Sequence, residues 1–199
     1  IKLPINKLSK ADQEFLTAKS SPKEPTKEET PVNPNLKYEV KDSAVTITGF
    51  DKKASGELTI PATIEGNPVT SIGDSAFIHC YSLMSITIPD SVTSIGNRAF
   101  KFSALTSIAI PDSVTSIGEE VFGATDLTSI TIPDSVTSIG EAAFLDCTRL
   151  TAVTFLGDAP EIQDKVFQNT SPTIYRKPEA KGWGDTFGGR PVKLISEKP

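Results

Sequence analysis

Leu83-Met84-Ser85-Ile86-Thr87-Ile88-Pro89-Asp90-Ser91-Val92-Thr93-Ser94-Ile95-Gly96 decides how this chain folds, because the same phrase returns. It recurs as Leu105–Gly118 and Leu127–Gly140, each start 22 residues after the last, and a diverged copy begins at Leu150. An earlier copy runs from Leu58 to Gly73 and carries Glu65-Gly66-Asn67-Pro68 as a small insertion. Each copy closes on a phenylalanine: Phe77, Phe100, Phe122, Phe144 and Phe167, at steps of 23, 22, 22 and 23. Self-similarity at one short period signals a stack of like units, each too small to bury its own apolar side and completed by its neighbours.

Within one copy, Leu83, Ile86 and Ile88 end in the in–out alternation of a strand. Pro89-Asp90 turns the chain, since proline fixes φ and aspartate bonds its own backbone. Val92 to Ile95 reads as a second short extended segment, and Gly96 permits another sharp turn. Asn97-Arg98-Ala99-Phe100, like Glu119-Glu120-Val121-Phe122, reads as a short helical or 3₁₀ turn that points its phenylalanine inward. The expected fold is a β-dominated solenoid of about five coils, capped at both ends, because an open strand edge invites aggregation.

The 199 residues suit one domain with tails, and no run of 18 apolar residues is present to span a membrane. Charge is uneven. Residues 57–170 hold 14 acidic against four basic residues, while both ends are mildly basic. With a net charge of −5 the chain is not expected to bind nucleic acid. Residues 1–36 lack periodicity and scatter five prolines among Lys, Glu, Ser and Thr, which reads as a linker, partly helical around Ile5, Leu8, Phe15 and Leu16. Residues 37–56 read as an N-terminal capping hairpin turning near Asp42-Ser43, 57–170 as the repeats, and 171–199 as a C-terminal cap. In that cap Thr173-Ile174-Tyr175 reads as a last strand, and Trp183 and Phe187 fold over the final core.

Copies of the form L-T-S-I-x-I-P-D-S-V-T-S-I-G-x-x-A-F resemble the BspA-like (Treponema-type) leucine-rich repeats of bacteria. The resemblance implies a curved, right-handed leucine-rich-repeat solenoid with the Ile86/Ile88-type strands on its concave face. It also implies a bacterial cell-surface or secreted protein, non-catalytic, that binds a protein or glycan outside the cell. A lipid anchor upstream of Ile1, or a periplasmic location, is compatible with it. The chain departs from ordinary leucine-rich repeats in lacking an asparagine ladder; Cys80, Ser103, Thr125, Cys147 and Thr170 fill a small-residue column instead.

On that geometry the candidate binding face is the row Thr59, Thr87, Ala109, Thr131 and Thr154, with Ser85, Ser107 and Ser129 beside it. Short hydroxyl residues are also ordinary strand filler. Asp90, Asp112 and Asp134 form a column that could offer oxygen ligands to calcium, although turn formation accounts for each alone. Cys80 and Cys147 share a column three coils apart. At about 4.8 Å per coil they lie beyond disulfide reach and are expected as free, buried thiols. His79 beside Cys80 reads as a surface histidine next to a core thiol, since adjacent side chains diverge. Glu119, Glu120 and Glu141 read as a solvated face, and Gly182–Gly189 lacks the Gly-Lys-Ser/Thr of a phosphate loop. No residue is assigned a catalytic, cofactor or metal role. The alternatives to a binding module are a structural spacer that presents another domain, favoured by the near-identity of the central copies, or a glycan-binding or glycan-cleaving solenoid.

Overall fold

The computed structural model describes residues 31–197, so the spacer and short helix expected before residue 31 lie outside the described residues. The repeats stack as coils in register. On one side Ser71, Ser94, Ser116, Ser138 and Glu161 form one row of a parallel sheet, and Ile72, Ile95, Ile117, Ile139 and Ile162 form the next. The isoleucines point in and the serines toward the surface, as a period of two requires. On the side of the Leu-x-x-Ile-x-Ile segments, Gly56–Thr59 pairs with Leu83–Thr87. Separately, Ser129–Ile132, Ala152–Phe155, Thr173–Arg176 and Arg190–Leu194 form a continuous parallel run.

Between these two sheets the expected strand is missing. Residues 105–110 form no strand, and their one β-bridge is Ala109–Thr131. The Thr106 amide reaches the Met84 carbonyl at 3.4 Å, at the long end of useful geometry. Ala109 stands where the adjacent copies carry threonine, and alanine fits a pleated surface less well.

The segment around each phenylalanine is a single turn closed by bonds of the 3₁₀ kind, such as Ser103 N–H to the Phe100 carbonyl at 3.1 Å. None extends into a helix; among the described residues the only 3₁₀ helix is Ile195–Glu197. Each turn is built on left-handed residues two before and two after its phenylalanine. Ser75 and His79 flank Phe77, Arg98 and Phe102 flank Phe100, Glu120 and Ala124 flank Phe122, and the pattern continues to Lys165 and Asn169 around Phe167. Left-handed φ costs a non-glycine residue about 1–2 kcal/mol. The return is a backbone ladder. The N–H groups of Arg98, Phe100 and Phe102 donate to the Glu119, Val121 and Gly123 carbonyls of the next coil at 2.8, 2.9 and 2.9 Å. Three such bonds per turn, each worth roughly 0.5–1.5 kcal/mol net, offset the strain.

Inside that ladder the five rings are fully buried and stacked, with centroids 5.3–5.8 Å apart from Phe77 through Phe167. Phe50 continues the column at the N-terminal end, tilted 46° against Phe77. It comes from a hairpin, Leu36–Lys41 with Ala44–Phe50, whose turn residues Asp42 and Ser43 both take positive φ. The second strand of the hairpin pairs parallel with Asn67–Ile72 and so begins the stack. At the other end the sheet runs one strand further than Thr173-Ile174-Tyr175, through Arg190–Leu194. There Phe155, Trp183 and Phe187 form a triad with centroids 4.8–5.3 Å apart, and Gly188 lies over the Phe167 ring.

Gly96, Gly118 and Gly140 earn their place by close approach, not by positive φ. A Cβ on Gly140 would sit 2.6 Å from the Gly118 carbonyl carbon. These positions set how near two coils can come. Gly140→Ala is therefore expected to destabilise by about 1–3 kcal/mol through overpacking, and Phe122→Ala by about 3–5 kcal/mol through cavity formation. Both are read from urea unfolding curves; an unchanged midpoint for either would contradict the corresponding contact.

Candidate functional site

The strand face brings most of the sequence-selected residues into one surface. Thr59 pairs in register with Thr87, and Ala109 with Thr131. Thr59, Thr87, Ser107, Ser129 and Thr131 are exposed, and Ser85 is half-buried. Thr154 is different: it aligns with Thr131 but is only 6% exposed, flanked on its other side by buried Tyr175. The row available to a ligand therefore ends at Thr131. The gap at residues 105–110 leaves a depression of about 340 Å³ lined by Ser107, Ile108, Ala109, Ile110, Asp112, Ser129, Ile130, Thr131, Pro133 and Leu156. Its chemistry is that of hydroxyls, apolar methyl groups and one carboxylate. Among the described residues it holds no paired acid and base and no activated nucleophile.

Two other depressions flank the coils. One of about 550 Å³ lies between Asp134, Asp158, Glu161, Lys177 and Glu179, and Asp158 is already used to accept the Lys181 amide at 2.6 Å. Another of about 320 Å³ follows the second sheet along Ser116, Gly118, Ser138 and Gly140. Asp90, Asp112 and Asp134 are exposed, and no group of three potential metal-binding side chains occurs among the described residues.

Cys80 and Cys147 are buried and unbridged. The Cys147 thiol points to the Phe122 carbonyl at 2.9 Å, which the Thr125 hydroxyl also reaches at 2.9 Å. Burial pushes both thiols above their ordinary pKa, which keeps them protonated and unreactive. In the same column the Ser103 and Thr170 hydroxyls find no partner among the described residues.

One cluster escaped the sequence reading. At the turn edge, His79 stacks on Phe102 with centroids 4.9 Å apart, and its Nδ1 lies 2.6 Å from the Tyr81 hydroxyl. Tyr81, Met84 and Phe102 are the exposed large apolar side chains of the repeats. The signal was present: these positions hold small or polar residues in the later copies, such as Ala124 and Asp146 opposite Phe102.

The profile of the BspA type leucine-rich repeat region matches residues 50–175, in six copies. The chain belongs to that family. The six copies are one more than the sequence count of about five. A leucine-rich repeat protein from Bacteroides capillosus is similar at 32% identity, with a TM-score of 0.56 over 64% of this chain and 99% of that one. The Treponema pallidum leucine-rich repeat protein is 24% identical, with a TM-score of 0.53 over 77% of this chain and 85% of that one. The pneumococcal vaccine antigen PcpA is 22% identical, with a TM-score of 0.59 over 82% of this chain and 49% of that one. The last two likenesses concern the fold. No curated protein matches the chain. No helix among the described residues is long and apolar enough to cross a membrane.

In this BspA-type stack two of the three glutamates expected as a solvated face, Glu120 and Glu141, instead tie coils together, while Glu119 stays exposed. Glu120 is reached by Lys101 and by Arg98, the latter at 2.9 Å, both from the preceding coil. Glu141 accepts from Lys165 of the following coil at 3.0 Å. The hydrogen bonds from Lys101 and then Arg98 hold the Glu120 carboxyl below its ordinary pKa. A carboxylate depressed in the folded state stabilises above its unfolded pKa, and that contribution is lost as pH falls through the folded value. Glu120→Gln is thus expected to cost ~1 kcal/mol at pH 7. The difference from the parent protein should shrink as pH drops below about 4. Urea unfolding at pH 7, 5 and 3 measures it; a pH-independent difference would remove the ionic explanation.

Proposed function

We propose that the chain is a non-catalytic binding module displayed on or secreted from a bacterial cell, and that it engages a protein partner through the strand face. One observation carries this reading: exposed Thr59 in register with Thr87, and exposed Thr131 in register with Ala109, stand with Ser107 and Ser129 on either side of the break that opens the depression at Ala109. The coils hold these residues without help from a ligand, so little ordering accompanies binding. Family membership supports the location, because BspA-type repeat proteins are typically bacterial surface or secreted proteins.

The surface lacks aromatic or arginine anchors, which dominate tight interfaces, so the expected contact is broad and of modest affinity. A second reading, a spacer presenting another domain, draws on the near-identity of the copies starting at Leu83, Leu105 and Leu127. Recognition normally diversifies exposed positions.

Surface plasmon resonance against a panel of purified extracellular-matrix and cell-surface proteins separates the two. The binding reading expects at least one saturable interaction that weakens about tenfold or more in a Thr87→Lys, Thr131→Lys variant with an unchanged melting curve. Silence across the panel, or binding indifferent to those substitutions, would favour the spacer.

A further inference from the structure

We infer that the depression at the break in the strand face is a socket for an arginine of the protein partner, gripped by its apolar stem and its cationic head. The inference rests on the strand-face reading proposed above and names the chemistry that this face selects. The space exists because one copy departs from its neighbours. Where the adjacent copies carry Thr87 and Thr131, this one carries Ala109, and residues 105–110 form no strand. The smaller side chain and the loosened pairing leave about 340 Å³. That lies at the low end of ligand pockets, about 300–1,000 Å³, and suits one long side chain.

The walls and the rim differ in character. Ile108, Ile110, Pro133 and Leu156 supply apolar walls, and Ser107, Ser129 and Thr131 supply hydroxyls. Asp112 is the one charged residue lining the space, and it is exposed. A purely apolar anchor would leave that carboxylate beside it without a partner. Basic side chains join an apolar stem to a cationic head. Arginine adds a planar fork of donors that suits a carboxylate with hydroxyls close by.

The charge balance requires the cation to come from outside. All four basic residues of 57–170 are already paired: Arg98 and Lys101 with Glu120, Arg149 with Asp126, and Lys165 with Glu141. They engage three of the fourteen carboxylates in that stretch and leave eleven without an ion pair, Asp112 among them. Such a surface draws in a basic partner and disfavours an acidic one. The larger depression near Asp158 holds more carboxylates. There, however, Lys177 already stands among them, and Asp158 accepts the Lys181 amide.

The test titrates the whole chain with a short blocked peptide carrying one arginine between serines, and with its citrulline and norleucine counterparts, followed by backbone amide shifts in NMR. Expected is saturable binding of the arginine peptide, with shifts centred on residues 107–110 and Thr131. The two uncharged peptides should bind about tenfold or more weakly. Asp112→Asn keeps a turn-forming side chain, and Ala109→Thr restores the residue of the adjacent copies. Both should keep the parent melting curve and weaken the arginine peptide about tenfold. Glu119→Gln removes an equal charge from the depression along the second sheet and should leave binding unchanged. No binding of the arginine peptide, equal binding of the citrulline peptide, shifts centred on Asp158 and Glu179, or a Glu119→Gln loss matching that of Asp112→Asn would each overturn the socket. A panel protein lost with Thr87→Lys, Thr131→Lys but indifferent to Ala109→Thr and Asp112→Asn would overturn it too, while the strand-face reading stood. A silent panel beside a peptide seated at the break would count for the socket and against the protein partner.

Discussion

Everything in this molecule depends on how closely one coil's backbone approaches the next. Gly96, Gly118 and Gly140 leave no room for a side chain between neighbouring peptide groups. That contact sets a common spacing, and the spacing in turn permits three things at once: parallel pairing of the Ser-Ile segments, stacking of the phenylalanine rings, and the peptide ladder along the turns. A coil that drifted from its neighbour would lose all three. This coupling explains why the turns accept left-handed residues as different as Ser75, Arg98, Phe102 and Asp146. The strain belongs to the ladder, and the ladder is indifferent to the side chain.

The two ends solve the same problem by different means. At the N-terminal end a hairpin turned at Asp42-Ser43 supplies both a strand and Phe50, so the first coil meets a partner of its own kind. At the C-terminal end the strands continue through Arg190–Leu194 while Gly188 and the Phe155–Trp183–Phe187 triad cover the rings. The apolar column is covered at both ends, as a stack of identical units requires. What stays open to solvent is therefore informative: the hydroxyl row with its break at residues 105–110, and the aromatic edge around Tyr81. Both sit on a scaffold that holds them without a ligand, which suits recognition more than chemistry.

Much of this was readable in the chain. The spacing of Phe77, Phe100, Phe122, Phe144 and Phe167 announced a stacked core, and the shared column of Cys80 and Cys147 announced thiols too far apart to join. Three features were not readable in the same way. Thr154 looked equivalent to Thr131 but is buried beside Tyr175, a neighbour fixed only by strand register. Glu120 looked like one more surface charge until stacking put Arg98 and Lys101 beside it. His79 was weighed against Cys80, its neighbour in sequence, whereas its partners are Tyr81 and, from the next coil, Phe102.

The sequence by itself determined the repeating unit, its stacking and the identity of the core, because periodic burial is a local pattern that survives in one dimension. Only the tertiary structure decided which outward residues face a ligand, which are paired across coils and where the strand face breaks. Those outcomes rest on contacts between residues about 22 positions apart, and on small displacements that side-chain type alone does not encode.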